Sequence, residues 1–141
     1  MTTLSVKIIT PAGEIFHTDD ATVANIMTLN GGMGLLANHE PILAALEIGP
    51  LTIKSAEADE IFAVNGGFAE FSNNTLTVIA DTAENAANID VTRAQAAQER
   101  AKIRLESVSN DDREAKVAAE LALRRAINRL HVSNARSTLG R

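Results

Sequence analysis

The residues that bend a chain most sharply are crowded into one part of this sequence. All three prolines and seven of the eight glycines lie at or before Gly67, and only Gly140 comes later. Proline fixes φ and glycine permits positive φ, so the first part is built to turn repeatedly. The stretch after Gly67 carries no such breaker until the last two residues, and long helices can form there. Charge divides at nearly the same place. Residues 1–84 hold two bases, Lys7 and Lys54, against eleven acids, a net of -9. Residues 85–141 hold eleven bases against seven acids, a net of +4. The seam between the two compositions is Ile89-Asp90-Val91-Thr92-Arg93-Ala94. We read two modules, 1–84 and 85–141.

The first module reads as short strands. Leu4 to Ile8 alternates apolar and polar residues, the period of a half-buried strand. Pro11-Ala12-Gly13 is a turn, and Glu14 to His17 and Ala21 to Met27 resume in extended form. Asn30-Gly31-Gly32-Met33-Gly34 reads as a tight loop. Ile42 to Leu46 and Leu51 to Ile53 read as strands separated by Gly49-Pro50. Glu60 to Val64 and Phe68 to Phe71 flank Asn65-Gly66, a hairpin signal. Leu76 to Ala80 closes the series after Ser72-Asn73-Asn74. Frequent turns between short strands predict a β-sandwich or barrel.

Composition removes several functions. There is no cysteine, so disulfides, thiolate metal sites and cysteine nucleophiles are excluded. Trp and Tyr are absent, only four Phe occur and the net charge is -5, a poor basis for stacking or binding nucleic acid. No apolar run approaches the ~20 residues of a membrane span, so we expect no direct membrane insertion, and Met1 to Ser5 show no targeting pattern. Neither glycine cluster is followed by the Lys-Ser/Thr of a phosphate loop, which leaves them as turns needing positive φ. His39 beside Pro41 has no partner at metal-ligand spacing and reads as a packed loop histidine. We assign no catalytic residue and no metal.

The second module reads as two helices. Asp90 is a helix N-cap. Val91, Ala94, Ala97, Ala101, Leu105 and Val108 recur at spacings of three and four, one apolar stripe. Ser107 to Asp112 interrupts the pattern and supplies caps. Ala115, Ala119, Leu123, Ala126 and Leu130 form the second stripe, flanked by Val117 and Ile127. A short turn between striped helices predicts an antiparallel hairpin. The expected fold class is a two-domain chain: an N-terminal antiparallel β-sandwich followed by a C-terminal antiparallel α-helical hairpin. Alanine stripes bury little area, so the hairpin should close weakly. A turn near 108–109 sets Asp90 across from Arg125 to Arg129, and Arg93 across from Arg124 or Arg125. Arginine forks gathered there suit either a polyphosphate or a salt-bridge network. Arg100 fits that cluster least well, roughly 12 Å along the helix from the level of Arg125.

Several stretches together resemble a known family. Gly34-Leu35-Leu36-Ala37-Asn38-His39-Glu40-Pro41-Ile42-Leu43 resembles the Gly-x-Leu-Pro-Gly-His-x-Pro-Leu signature of the epsilon subunits of F-type ATP synthases. Val64-Asn65-Gly66-Gly67-Phe68-Ala69-Glu70-Phe71 is similar to that family's Gly-Gly-Phe-x-Glu hairpin. Asn74 to Glu84 is similar to its last strand and exit, and the matches keep the family's order and spacing. Ile89-Asp90-Val91-Thr92-Arg93-Ala94 has the form Ile/Leu-Asp-x-x-Arg-Ala, which resembles the family's ATP-binding motif. Two departures stand out: Ala37-Asn38 replaces Pro-Gly, and Gly32 stands where many members carry an acid.

The resemblance implies regulatory ATP binding by Glu84, Asp90, Arg93, Ala94, Arg100, Arg125 and Arg129, with no required cofactor. It implies rotor docking through Gly32, Met33, Gly34, His39 and Pro41. The implied partners are the gamma subunit, the membrane rotor ring of c subunits and the alpha/beta catalytic head, at the cytoplasmic face of the bacterial cell membrane as a peripheral subunit. The implied role is non-catalytic: coupling head to ring, and inhibiting ATP hydrolysis when the helical arms extend, with ATP favouring the folded hairpin. The basic arms would suit an acidic surface on the catalytic head. Two other readings are a purely structural coupling subunit without ATP sensing, and a free-standing adaptor using its basic helices.

Overall fold

The computed structural model describes residues 2–139, with side chains as far as Arg136. Seven strands come first: β1 (Leu4–Thr10), β2 (Gly13–Thr28), β3 (Gly31–Leu36), β4 (Ile42–Ser55), β5 (Glu60–Ser72), β6 (Thr75–Ala80) and β7 (Ala83–Asn85). A 3-10 turn at Ala86–Asn88 leads into α1 (Val91–Ser107) and α2 (Arg113–Leu139). The sheet runs β1-β6-β5-β4-β2-β3, and β1 also pairs with β2, which closes it into a flattened barrel or sandwich. All pairs are antiparallel except β1 with β6, which are parallel. The two helices follow as a hairpin, and the fold has the two-part architecture that the composition predicts.

Alternation puts Leu4, Val6 and Ile8 inside from β1, Leu76 and Val78 from β6, and Leu51, Ile53 and Phe71 from β4 and β5. This is one contiguous apolar core between the layers. None of its residues comes from the helices.

Three turn readings are corrected by the strands. Asn30-Gly31-Gly32-Met33-Gly34 is not one tight loop: β3 begins at Gly31, and Gly31 to Gly34 pair in register with β2. Asn65-Gly66 is not a hairpin: β5 runs unbroken from Glu60 to Ser72. Gly66 and Gly67 hold φ of 82° and 123°, a kink inside one strand. A Cβ on Gly67 would overlap the Ile79 carbonyl oxygen and lie 2.8 Å from Ala80 Cα, so β6 crosses too close for any side chain. Gly49-Pro50 likewise lies within β4. The β2–β4 pairing is interrupted between Asn25↔Thr52 and Thr28↔Leu46, so Pro50 sits where no ladder donor is needed on that side. Long strands serving both layers look like two short ones in the sequence because glycine marks a kink as well as a turn.

The helical hairpin follows its stripes. Ala94 and Ala101 are buried on α1, Ala119 and Ala126 on α2. Asp112 Oδ1 accepts from Ala115 N at 3.0 Å and caps α2. The turn is centred midway between Ser107 and Arg113, later than the expected 108–109. That shift moves every facing pair, with consequences at the base of the hairpin.

The second helix also docks on the sandwich, which its apolar stripe does not foretell. Val132 is fully buried against Ile61, Ala63 and Ala86, with Ile89 and Ala135 packed alongside. Asn128, 7% exposed, donates its side-chain N–H groups to Gly49 O at 3.1 Å and Val64 O at 3.3 Å. Arg124 Nη2 pairs with Glu47 Oε1 at 2.6 Å. Opposite charges on the two modules therefore meet within the chain itself.

Candidate functional site

The base of the hairpin is held from three sides. Asn85 Oδ1 accepts from Ala87 N at 2.9 Å and its amide donates to Glu60 Oε2 at 2.8 Å, which fixes the 3-10 turn on β5. Ile89 packs into the Val132 cluster and so sets where α1 begins. Asp90 takes an extended backbone, and its Oδ1 accepts from Arg93 N at 3.0 Å. The predicted cap is formed, and a carboxylate at that end also suits the helix dipole. From this start, Arg93, Ala97 and Arg100 fall on one face of α1.

These elements enclose a cleft of about 240 Å³, lined by Glu84 of β7, Asn88, Ile89 and Asp90 of the connection, Arg93, Ala94, Ala97 and Arg100 of α1, and Arg129 of α2. Six of the seven residues that the resemblance points to thus converge on one cavity from three separate segments. Arg125 is half-buried on α2 and is not among the lining residues. The later turn explains the exchange: it brings Arg129 rather than Arg125 opposite the start of α1. Arg100, the expected outlier, also lines the cleft, on the same face of α1 as Arg93. Asn88 and Ala97 line the cleft without having been singled out. Ala97 lay in the stripe, whereas Asn88 gave no signal beyond its place beside the seam.

The charges in the cleft are unevenly satisfied. Arg129 Nε donates to Glu84 Oε1 at 2.6 Å, clamping α2 to β7. Asp90 is occupied as a cap. Arg93 and Arg100 are exposed, and among the described residues neither guanidinium has an ion-pair partner. Three guanidiniums against two carboxylates, with two of the three unpaired, make a site for an anion. Apolar surface from Ile89, Ala94 and Ala97 lies beside them. The arrangement can bind a ligand that is polyanionic at one end and flat or apolar at the other. It offers no nucleophile with a base beside it. Among the described residues no three His, Asp or Glu gather as for a metal ion.

The residues expected at the rotor form a second group, three on a strand and two in the loop after it. Gly32, Met33 and Gly34 lie on β3, paired with Met27, Ile26 and Asn25 of β2. Met33 packs on the core, and Gly32 and Gly34 are exposed. His39 and Pro41 follow in the loop to β4. His39 stands edge-on to Phe71 with ring centroids 5.6 Å apart, and its Nδ1 bonds Glu40 O at 2.7 Å. It is a packed loop histidine. Asn38 holds φ 64°, a left-handed conformation glycine adopts freely and asparagine tolerates, so this departure keeps a glycine-like backbone. Asn74 fixes the loop by accepting from Asn38 N at 2.8 Å. Leu35 and Leu36 of β3 and then Ala37-Asn38 lie between Gly34 and His39, so the five residues spread along the edge strand and the loop after it.

Comparison with known proteins places the chain. Residues 3–86 match the ATP synthase delta/epsilon chain beta-sandwich domain, and residues 87–134 match the ATP synthase delta/epsilon chain long alpha-helix domain. The ATP synthase epsilon chain of Pediococcus pentosaceus is 46% identical over 132 residues, covering 92% of this chain and 94% of the relative. That of Halalkalibacterium halodurans is 38% identical over 133 residues, covering 94% and 98%. A chain in the Euglena gracilis mitochondrial ATP synthase OSCP/F1/c-ring assembly shares the fold with TM-score 0.75 at 22% identity, covering 88% of this chain and 77% of that one.

Proposed function

Since the chain belongs to the ATP synthase epsilon family, we propose that its hairpin is an ATP-responsive arm on a non-catalytic central-stalk subunit. The observation that carries the reading is the cleft at the hairpin base. Its walls come from β7, α1 and α2, so a ligand held by all three can bind only when the hairpin is closed and docked. Such a ligand stabilises that state by RT ln(1 + [L]/Kd). ATP supplies a polyphosphate for Arg93, Arg100 and Arg129 and a base for the apolar surface near Ile89 and Ala94.

The regulatory consequence is a population shift. With ATP bound the arms stay closed. Without it, α1 is held by little beyond a stripe of alanines, and α2 by Asn128, Val132 and two ion pairs. Released arms extend toward the catalytic head and inhibit ATP hydrolysis. The sandwich stays on the rotor, against the gamma subunit and the c ring, at the cytoplasmic face of the membrane. No described helix is long and apolar enough to cross a bilayer.

Calorimetric titration of the isolated subunit with ATP tests the site. Arg93→Ala and Arg129→Ala should each weaken binding; unchanged affinity in both would remove these residues from the site and favour a purely structural coupling subunit. Truncation after Asn88 should preserve assembly and speed ATP hydrolysis by the complex. Unchanged hydrolysis would show that the arms do not inhibit.

A further inference from the structure

The tip of the β2–β3 hairpin holds an asparagine followed by a glycine, Asn30-Gly31. The chain has one other such pair, Asn65-Gly66, in the middle of β5. Asparagine is thermolabile because its side-chain carbonyl carbon lies within reach of the next residue's main-chain nitrogen. A glycine in that next place, with no Cβ, hinders the approach least. The same chemical group therefore occurs twice, in opposite settings.

Asn65 is shut in. It is 6% exposed, its amide donates to Thr82 Oγ1 at 2.7 Å, and its main-chain N–H donates to Thr82 O at 3.0 Å. A Cβ on Gly66 would stand 3.1 Å from Asp81 Oδ2. The hairpin tip is open. Asn30 and Gly31 are exposed, and a Cβ on Gly31 would meet no atom within 4 Å. Thr28 Oγ1 accepts from Asn30 N at 3.1 Å and donates to Gly31 O at 2.8 Å. These bonds anchor the main chain, while the Asn30 carboxamide has no hydrogen-bond partner among the described residues.

We propose that Asn30 is a modification site, where spontaneous deamidation places a carboxylate in this turn. Gly31 N attacks Asn30 Cγ. The N–Cγ bond forms, the Cγ–Nδ2 bond breaks, and ammonia leaves with the Gly31 proton. Water then opens the cyclic imide. Addition at Cγ gives aspartate; addition at the Asn30 main-chain carbonyl gives isoaspartate, whose main chain is one carbon longer. Either product carries one new negative charge. No Asp, Glu, Lys or Arg lies between Asp20 and Glu40, so this charge is the first on the turn and on β3. A partner surface that covers this edge must then desolvate it.

The test follows the full chain and Asn30→Gln over days at neutral to mildly alkaline pH, folded and in concentrated urea. Isoelectric focusing reads the charge, and mass spectrometry of peptides reads the position. In the folded wild type, Asn30 should convert at least about tenfold faster than Asn65, whose reaction needs local opening of β5. Asn30→Gln has no side-chain bond to lose, and its longer side chain cyclises far more slowly, so it should keep its charge. In urea the two wild-type sites should convert at similar rates, which assigns the difference to the fold. An Asn30 that converts in urea yet stays intact in the folded chain would overturn the inference. So would an Asn65 that converts as fast as Asn30 in the folded chain.

Discussion

Replacing Asn128 with alanine should undock α2 without unfolding the sandwich. The side chain bonds two carbonyls that face each other in register across β4 and β5, Gly49 and Val64. Each bond contributes about 0.5–1.5 kcal/mol net, and each buried carbonyl left without a donor adds about 1–3 kcal/mol. Two facts reduce the sum. The bond to Val64 is 3.3 Å long, near the outer limit for a good hydrogen bond. A groove lined by Gly49, Ile127 and Asn128 also opens beside the site, so water can reach the Gly49 carbonyl. About 2 kcal/mol is the net estimate, roughly thirtyfold in the docked-to-undocked ratio. Amide hydrogen exchange measures this by segment. Protection in α2 should fall by that factor, while β1, β6 and the core of β5 keep theirs. Ile127→Ala, at an exposed position one residue away, should do little. Unchanged protection in α2, or equal loss throughout the sandwich, would refute the reasoning.

Asp90→Ala should cost about 1 kcal/mol through loss of the α1 cap, seen as faster exchange at residues 91–94. Gly67→Ala should destabilise the sandwich by about 3 kcal/mol or more, combining a clash with β6 and a strained φ, and should lower the melting temperature by several degrees. Acidification should loosen α2. The hydrogen bond and charge of Arg124 hold the Glu47 carboxyl below its ordinary range. A lowered folded pKa gives stabilisation that is complete above the unfolded value and is lost as pH falls through the folded one. Exchange in α2 should accelerate across that acidic window, and Glu47→Gln should flatten the dependence.

Much of this architecture is legible in the sequence because its signals are local. The alternation of Leu4 to Ile8, the Asp90 cap and the two alanine stripes each report one element's own geometry. The misread features depend on other segments. Nothing near Asn65-Gly66 announces that β6 crosses there and requires a glycine inside a strand. The docking face of α2 does have a period: Arg124, Asn128, Val132 and Ala135 recur at four, four and three. Polar residues at its first two positions hide it, because their partners are carbonyls and carboxylates of the sandwich. In the cleft, a small displacement of the interhelical turn decides whether Arg125 or Arg129 faces Asp90, and loop residues do not encode their register so finely.

The central claim is that ATP binds only the closed, docked hairpin. It is tested most directly by pairing calorimetric Kd values with hydrogen exchange of the full chain at known ATP concentration. At one hundred times Kd, linkage requires about 2.7 kcal/mol of added protection, roughly a hundredfold slower exchange, in both α1 and α2. That result, with little change in the sandwich core, is what a site spanning β7, α1 and α2 predicts. ATP that binds while exchange in both helices stays the same would contradict it.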